Sequence, residues 1–195
     1  MNSKDQIHTS CQQCQLGPAS VDQGKRQTIK WVSMGGLTTL PFMASTAQAE
    51  TVPIFLVEAD AEKDFKPLRP SDLAIGKPLL VYPFDSKSGT PKNESRLNKL
   101  VVIRLPEDQM TPETRERSAS GVLAYSGICT HQGCEVKTWM SKENVLACYC
   151  HSSKFALLDS AKVIGGPAPR PLPAIPLAMN GEFLSVVASS PAIQG

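Results

Sequence analysis

Six side chains able to bind metal or cross-link crowd into one short stretch of this chain: Cys129, His131, Cys134, Cys148, Cys150 and His151. They form two boxes. The first is Cys129-Thr130-His131-Gln132-Gly133-Cys134, and the second is Cys148-Tyr149-Cys150-His151-Ser152-Ser153. Four of the chain's six cysteines and two of its three histidines lie here. Whatever the chain folds into must bring both boxes to one place, because such a concentration implies metal binding, disulfide bonding or both.

Two metal chemistries are open. Two Cys and two His make a tetrahedral zinc site, which leaves two cysteines over. Alternatively, a 2Fe–2S centre can take two imidazoles in place of two thiolates on one iron. That needs Cys-x-His in one loop and Cys-x-x-His in the other. Cys129/His131 and Cys148/His151 meet the requirement, and Cys134 and Cys150 are then free to join the two loops. A bridge closing a loop of this size stabilises by ~3 kcal/mol in the chain-entropy picture. It also needs an oxidising compartment.

The leader carries the same implication independently. Residues 31–49 hold no charge, and Gly24-Lys25-Arg26-Gln27-Thr28-Ile29-Lys30 precedes them. The stretch ends Ala47-Gln48-Ala49-Glu50, a small-x-small cleavage pattern. This resembles a twin-arginine export signal with Lys25 in place of the first arginine. The expectation is export across a bacterial inner membrane to the periplasmic face. The segment is either cleaved after Ala49 or kept as an amino-terminal anchor, its length being near the ~20 residues of a membrane helix. Upstream, His8, Cys11 and Cys14 read as part of a tail, since a lone Cys-x-x-Cys falls short of a four-ligand site.

Beyond residue 50, helical periodicity is scarce. Short β-rich runs alternate with turn clusters: Val52–Val57, Pro78–Phe84, Leu100–Leu105, Gly121–Ser126, Val145–Tyr149, Lys154–Leu158 and Glu182–Val187. Polar segments such as Asp85–Asn98 and Pro106–Ser118 read as connections. The pattern predicts an all-β antiparallel sandwich or small barrel. One domain over 51–190 follows 1–50, with a cluster-binding part at about 127–176. Formal net charge is +2 over 195 residues, and the basic excess sits in the leader. That gives no electrostatic support to a nucleic-acid partner. The proline-rich segment containing Gly166, Pro167, Ala168 and Pro169 is too stiff for a central strand. It reads as a rigid connector that also forms a lid over the metal site.

The two boxes and the Gly-Pro-Ala-Pro segment resemble Rieske proteins of the disulfide-containing branch, closely over about residues 121–176. The resemblance implies a Rieske-like β fold and a 2Fe–2S cofactor. It implies that Cys129 and Cys148 hold the inner iron, His131 and His151 the outer iron, and that Cys134 and Cys150 form the disulfide. Ser153 falls where the family places a hydroxyl donating to a bridging sulfide. Phe155 falls where high-potential members carry a tyrosine. The implied range is roughly −150 to +300 mV, and an intermediate value is expected because Phe155 lacks the hydroxyl.

The function that follows is one-electron transfer within a larger oxidoreductase, with no catalytic residue of its own. The expected setting is a quinol:cytochrome c oxidoreductase, with cytochrome b- or c-type partners and quinol. One alternative is the small subunit of a periplasmic molybdenum oxidase similar to arsenite oxidase, partnered by a molybdenum large subunit. The other is the ferredoxin component of a ring-hydroxylating dioxygenase. Gln132, Tyr149, Ser152 and Phe155 depart from the usual quinol-oxidising pattern.

Overall fold

The computed structural model describes residues 52–187. The leader, its export signal and Cys11 and Cys14 lie outside the described residues. Within them, eleven strands and very little helix are present. No helix of the described residues is long and apolar enough to cross a membrane.

The first five strands are β1 (Ile54–Glu58), β2 (Leu79–Asp85), β3 (Thr90–Pro91), β4 (Leu100–Arg104) and β5 (Val122–Ser126). Four more, β6 (Thr138–Met140), β7 (Val145–Cys148), β8 (Ser153–Ala156) and β9 (Lys162–Gly165), form a separate antiparallel sheet in chain order. The chain then returns to the first sheet with β10 (Leu177–Asn180) and β11 (Phe183–Val186). That sheet runs β10-β11-β1-β2-β4-β5, with β3 on β2. Its two ends approach each other. Ile175 N–H donates to the Ala124 carbonyl, and Ser126 N–H to that of Pro173, both at 2.9 Å. The sheet therefore curls into a small, partly closed barrel, as the strand spacing predicts.

β4 and β5 explain how the barrel carries the second sheet. Side chains alternate across a strand. Leu100, Val102, Val122 and Ala124 face the barrel core with Leu56, Val81 and Leu184. Val101, Ile103, Leu123 and Tyr125 face the other way, into a core shared with Leu146, Phe155, Leu157 and Leu172. Strands buried on both faces read as unbroken apolar runs, which is why Leu100–Leu105 stands out in the sequence.

All seven sequence-predicted runs coincide with strands. Four strands escape the pattern: β3, β6, β9 and β10. They are two to four residues long and mostly exposed or half-buried, so they carry little alternation. The polar segment 106–118 is more ordered than a plain connection. Residues Pro112–Glu116 form a short helix, α1, capped by the Thr111 hydroxyl and started by proline. Buried Thr114 accepts from Ser160 N–H at 2.8 Å, and Thr111 N–H donates to the Leu158 carbonyl at 3.0 Å. The insertion thus braces the β8–β9 turn.

Candidate metal centre

The second loop is a turn between paired strands. Cys148 ends β7, Ser153 begins β8, and the two are direct cross-strand partners. Inside the turn, Ser152 has φ of +60°. The first loop, 129–134, lies outside the sheets. It closes on itself through Cys129 N–H to the Cys134 carbonyl at 2.7 Å and Gly133 N–H to the Cys129 carbonyl at 3.0 Å. A single bridge pairs its flanks, Ile128 with Glu135. Between the loops runs the disulfide Cys134–Cys150.

That bridge leaves Cys129 and Cys148 as free, buried thiols. Burial pushes the Cys148 thiol up, and the adjacent Cys129 thiol adds to this, while the N–H groups of Cys150 and His151 oppose it. Two thiols side by side in an apolar setting do not both ionise unless a cation joins them. The imidazoles of His131 and His151 meet edge to face, 4.6 Å between centroids. Nδ1 of His131 is the one buried side-chain polar atom among the described residues without a hydrogen-bond partner. A buried polar atom is rarely left so. Paired thiols and an orphaned imidazole nitrogen fit a thiolate- and imidazole-binding metal group. Sulfur atoms of Cys134, Cys148 and Cys150 also lie within 4.8 Å of one another, but the disulfide withdraws two of them as ligands.

The remaining sequence-predicted residues surround this centre. Ser153 is buried, and its Oγ accepts from Ala168 N–H at 3.2 Å, which leaves its own proton free to donate. Phe155 is fully buried in the core that holds Cys129 and Cys148. The Gly166-Pro167-Ala168-Pro169 segment sits close against the second loop. A Cβ on Gly166 would lie 2.4 Å from Ser153 Cα. One residue on, the Arg170 carbonyl accepts from the Thr130 hydroxyl at 2.7 Å. The segment therefore touches the second loop, and through Arg170 just beyond it the connection from β9 to β10 also touches the first.

Sequence reasoning missed the supports of the first loop. Arg96 donates to the Gly133 carbonyl. Lys99 pairs with Glu135 at 2.5 Å; this contact holds the Glu135 carboxyl below, and the Lys99 ammonium above, their ordinary ranges. No local pattern marks these residues, since each lies more than thirty positions from its partner. Beside the loop is a cavity of about 360 Å³ whose lining includes Leu97, His131, Gln132 and Arg170.

A small barrel supporting a two-loop thiol–imidazole centre, tied by a disulfide, defines an all-β metalloprotein. The family model described as "Rieske [2Fe-2S] domain" matches residues 70–176. The chain belongs to the Rieske family, and its cofactor is a 2Fe–2S cluster. The match reaches well upstream of the boxes, past the closely similar region read from the sequence. Among relatives, the chain is 38% identical over 120 residues to the cytochrome bc1 complex Rieske iron-sulfur subunit of Streptomyces lividans, covering 60% of this chain and 71% of that one. It is 31% identical over 176 residues to the protein of that name from Streptomyces coelicolor, covering 82% of this chain. Only 49% of that longer relative is spanned. A Haloferax mediterranei protein named as the Rieske subunit of a respiratory nitrate reductase is 31% identical over 150 residues, covering 76% of this chain and 63% of its own.

Proposed function

We propose that Cys129 and Cys148 hold one iron and His131 and His151 the other. We further propose that the chain is the one-electron iron–sulfur subunit of a respiratory oxidoreductase of the quinol:cytochrome c reductase type. The observation that carries the ligand set is the convergence of two free buried thiols and two imidazoles where a disulfide fixes the loops. The names of the Streptomyces relatives support the parent complex.

When bound, the cluster supplies a one-electron redox centre of raised potential. The protein's own residues do the rest. N–H groups of Cys150 and His151 stabilise negative charge at the Cys148 sulfur. Ser153 has a spare proton to donate inward, and Phe155 has none, so the potential is intermediate for the family. With one ring nitrogen of His131 and of His151 on the metal, the other nitrogen of either ring would be left to take the proton released with the electron of a quinol. His151 is the exposed ring of the pair and offers the contact for a protein partner. The leader 1–50 directs the domain to the periplasmic face, cleaved or as anchor.

Reduced full-length protein should give the EPR spectrum of mixed imidazole–thiolate ligation; a colourless, iron-free protein or a four-thiolate spectrum would sink the ligand set. In redox titration, Ser153→Ala should lower the potential and Phe155→Tyr should raise it. Quinol oxidation by the purified complex tests the parent assembly. A second reading has one specific support: the Haloferax relative's name places it in a nitrate reductase. It parallels the small subunit of a periplasmic molybdenum oxidase, and copurification with a molybdopterin subunit, without quinol oxidation, would favour it.

A further inference from the structure

The first loop carries two of the proposed ligands, and its ends are paired only by the single bridge Ile128–Glu135 and the Val136 N–H to Gly127 carbonyl bond at 2.8 Å, where the second loop has a strand ladder. Its internal hydrogen bonds close it on itself without fixing it to the rest of the molecule. Fixation comes from outside. Besides the disulfide and the Thr130–Arg170 contact, three tethers arise from a single short segment, 96–99. Arg96 donates to the Gly133 carbonyl, Gly127 N–H donates to the Lys99 carbonyl at 2.9 Å, and Lys99 pairs with Glu135. The segment is well rooted. It forms a 3-10 turn, Arg96–Asn98, capped by Ser95 Oγ, which accepts from Leu97 N–H at 3.2 Å. One residue later the chain enters β4, whose apolar side chains are buried in both cores.

Among these tethers, Arg96 reaches the point of the loop nearest in sequence to His131. Gly133 has φ of +75°, and a Cβ there would lie 2.9 Å from Arg96 Nη2. The left-handed φ at 133 suits glycine, and the guanidinium of Arg96 lies against that bare backbone. A hydrogen bond from an ionised donor is stronger than a neutral one. The planar fork also fixes direction as a lysine would not.

We propose that Arg96 is a positioning residue for the metal centre. It pins the Gly133 carbonyl to the barrel, so that Cys129 and His131 keep their place against Cys148 and His151. The inference rests on the ligand reading above. Arg96 also brings a cation to a loop that carries two of the ligands, and a positive charge near a redox centre favours its more negative, reduced state.

The test compares full-length, cluster-loaded wild type with Arg96→Met and Arg96→Lys, using hydrogen exchange by mass spectrometry and redox titration. In Arg96→Met, exchange across 129–136 should rise by roughly threefold or more, exchange across 148–153 should stay as in wild type, and the midpoint potential should fall. Arg96→Lys should recover the potential more fully than the protection, because it keeps the charge and loses the fork. Unchanged exchange across 129–136, equal loosening of both loops, or an unmoved potential overturns the proposal. EPR of the same samples separates the two ideas. A wild-type spectrum without imidazole ligation rejects the ligand set, whereas a correct spectrum with an unresponsive first loop rejects only the brace.

Discussion

The two loops of the centre are similar in length and chemistry but are held in different ways. The second is a turn between β7 and β8, fixed by a ladder that ends on Cys148 and Ser153. The first has only one bridge at its base, Ile128–Glu135, and is otherwise held by contacts to residues distant in sequence, among them Arg96, Lys99 and Arg170. Each loop contains a left-handed residue, but the first uses Gly133 and the second uses Ser152. One loop thus takes its geometry from local backbone pairing and stores strain. The other is relaxed locally and depends on its neighbours.

Cutting the tie between the loops should give the largest effect. The disulfide closes a separation of sixteen residues, and removing it by Cys134→Ala/Cys150→Ala should cost about 3 kcal/mol. Urea denaturation measures the loss. Hydrogen exchange should show the damage concentrated in the first loop, because the second keeps its strand pair. Equal exposure of both loops would erase the distinction between them.

Gly166→Ala strikes the second loop instead. Its Cβ would meet backbone of Ser152 and Ser153 at 2.4–2.6 Å, at φ of +80°. Backbone cannot move aside as a flexible side chain can. The expected cost is about 2 kcal/mol or more, from overpacking and left-handed strain together. The accompanying shift of Ala168 would break its hydrogen bond to Ser153 Oγ and lower the potential.

Ser152→Gly should act in the opposite direction. Relief of the left-handed position is worth roughly 1–2 kcal/mol, less the roughly 0.4–1 kcal/mol of extra freedom glycine brings to the unfolded chain. A net gain of roughly 0–1.6 kcal/mol in unfolding free energy, read as a higher denaturant midpoint, is expected, with no change in the first loop. A loss would mean that the serine hydroxyl contributes something its geometry does not reveal.

How far the sequence reveals this architecture follows the same division. The boxes are legible because ligand chemistry fixes residue type and spacing within a few positions. β4, β5 and β7 are legible because a strand buried on both faces reads as an unbroken apolar run, and β8 because it opens another short apolar run bounded by turn residues. The brace of the first loop is not, because Arg96, Lys99 and Glu135 are ordinary surface residues until the fold brings them together. The same holds for α1, whose Thr114 reads as one more polar residue of an insertion and is in fact buried against Ser160. The short edge strands are missed for a different reason: two to four half-exposed residues cannot display a period.

The smallest expected effect concerns the ion pair below the first loop. Side chains of Lys99 and Glu135 remain 18% and 40% exposed, so solvent screens them, and Glu135→Gln should cost no more than about 1 kcal/mol. Its pH dependence is the sharper signature. The Glu135 carboxyl titrates lower in the folded protein than its usual 4.5, chiefly through the hydrogen bond from Lys99. Its contribution is therefore present above the unfolded value and disappears as pH falls through the folded one. Lys99 titrates higher than its usual 10.5, so its share is present below that value and lost as pH rises through the folded one. The stability difference between wild type and Glu135→Gln should be flat across neutral pH and close at both ends, in acid and in strong alkali. It should also shrink with added salt. A difference that persists in acid would show that Glu135 supports the loop by packing, and the brace would then rest on Arg96 and the Lys99 carbonyl alone.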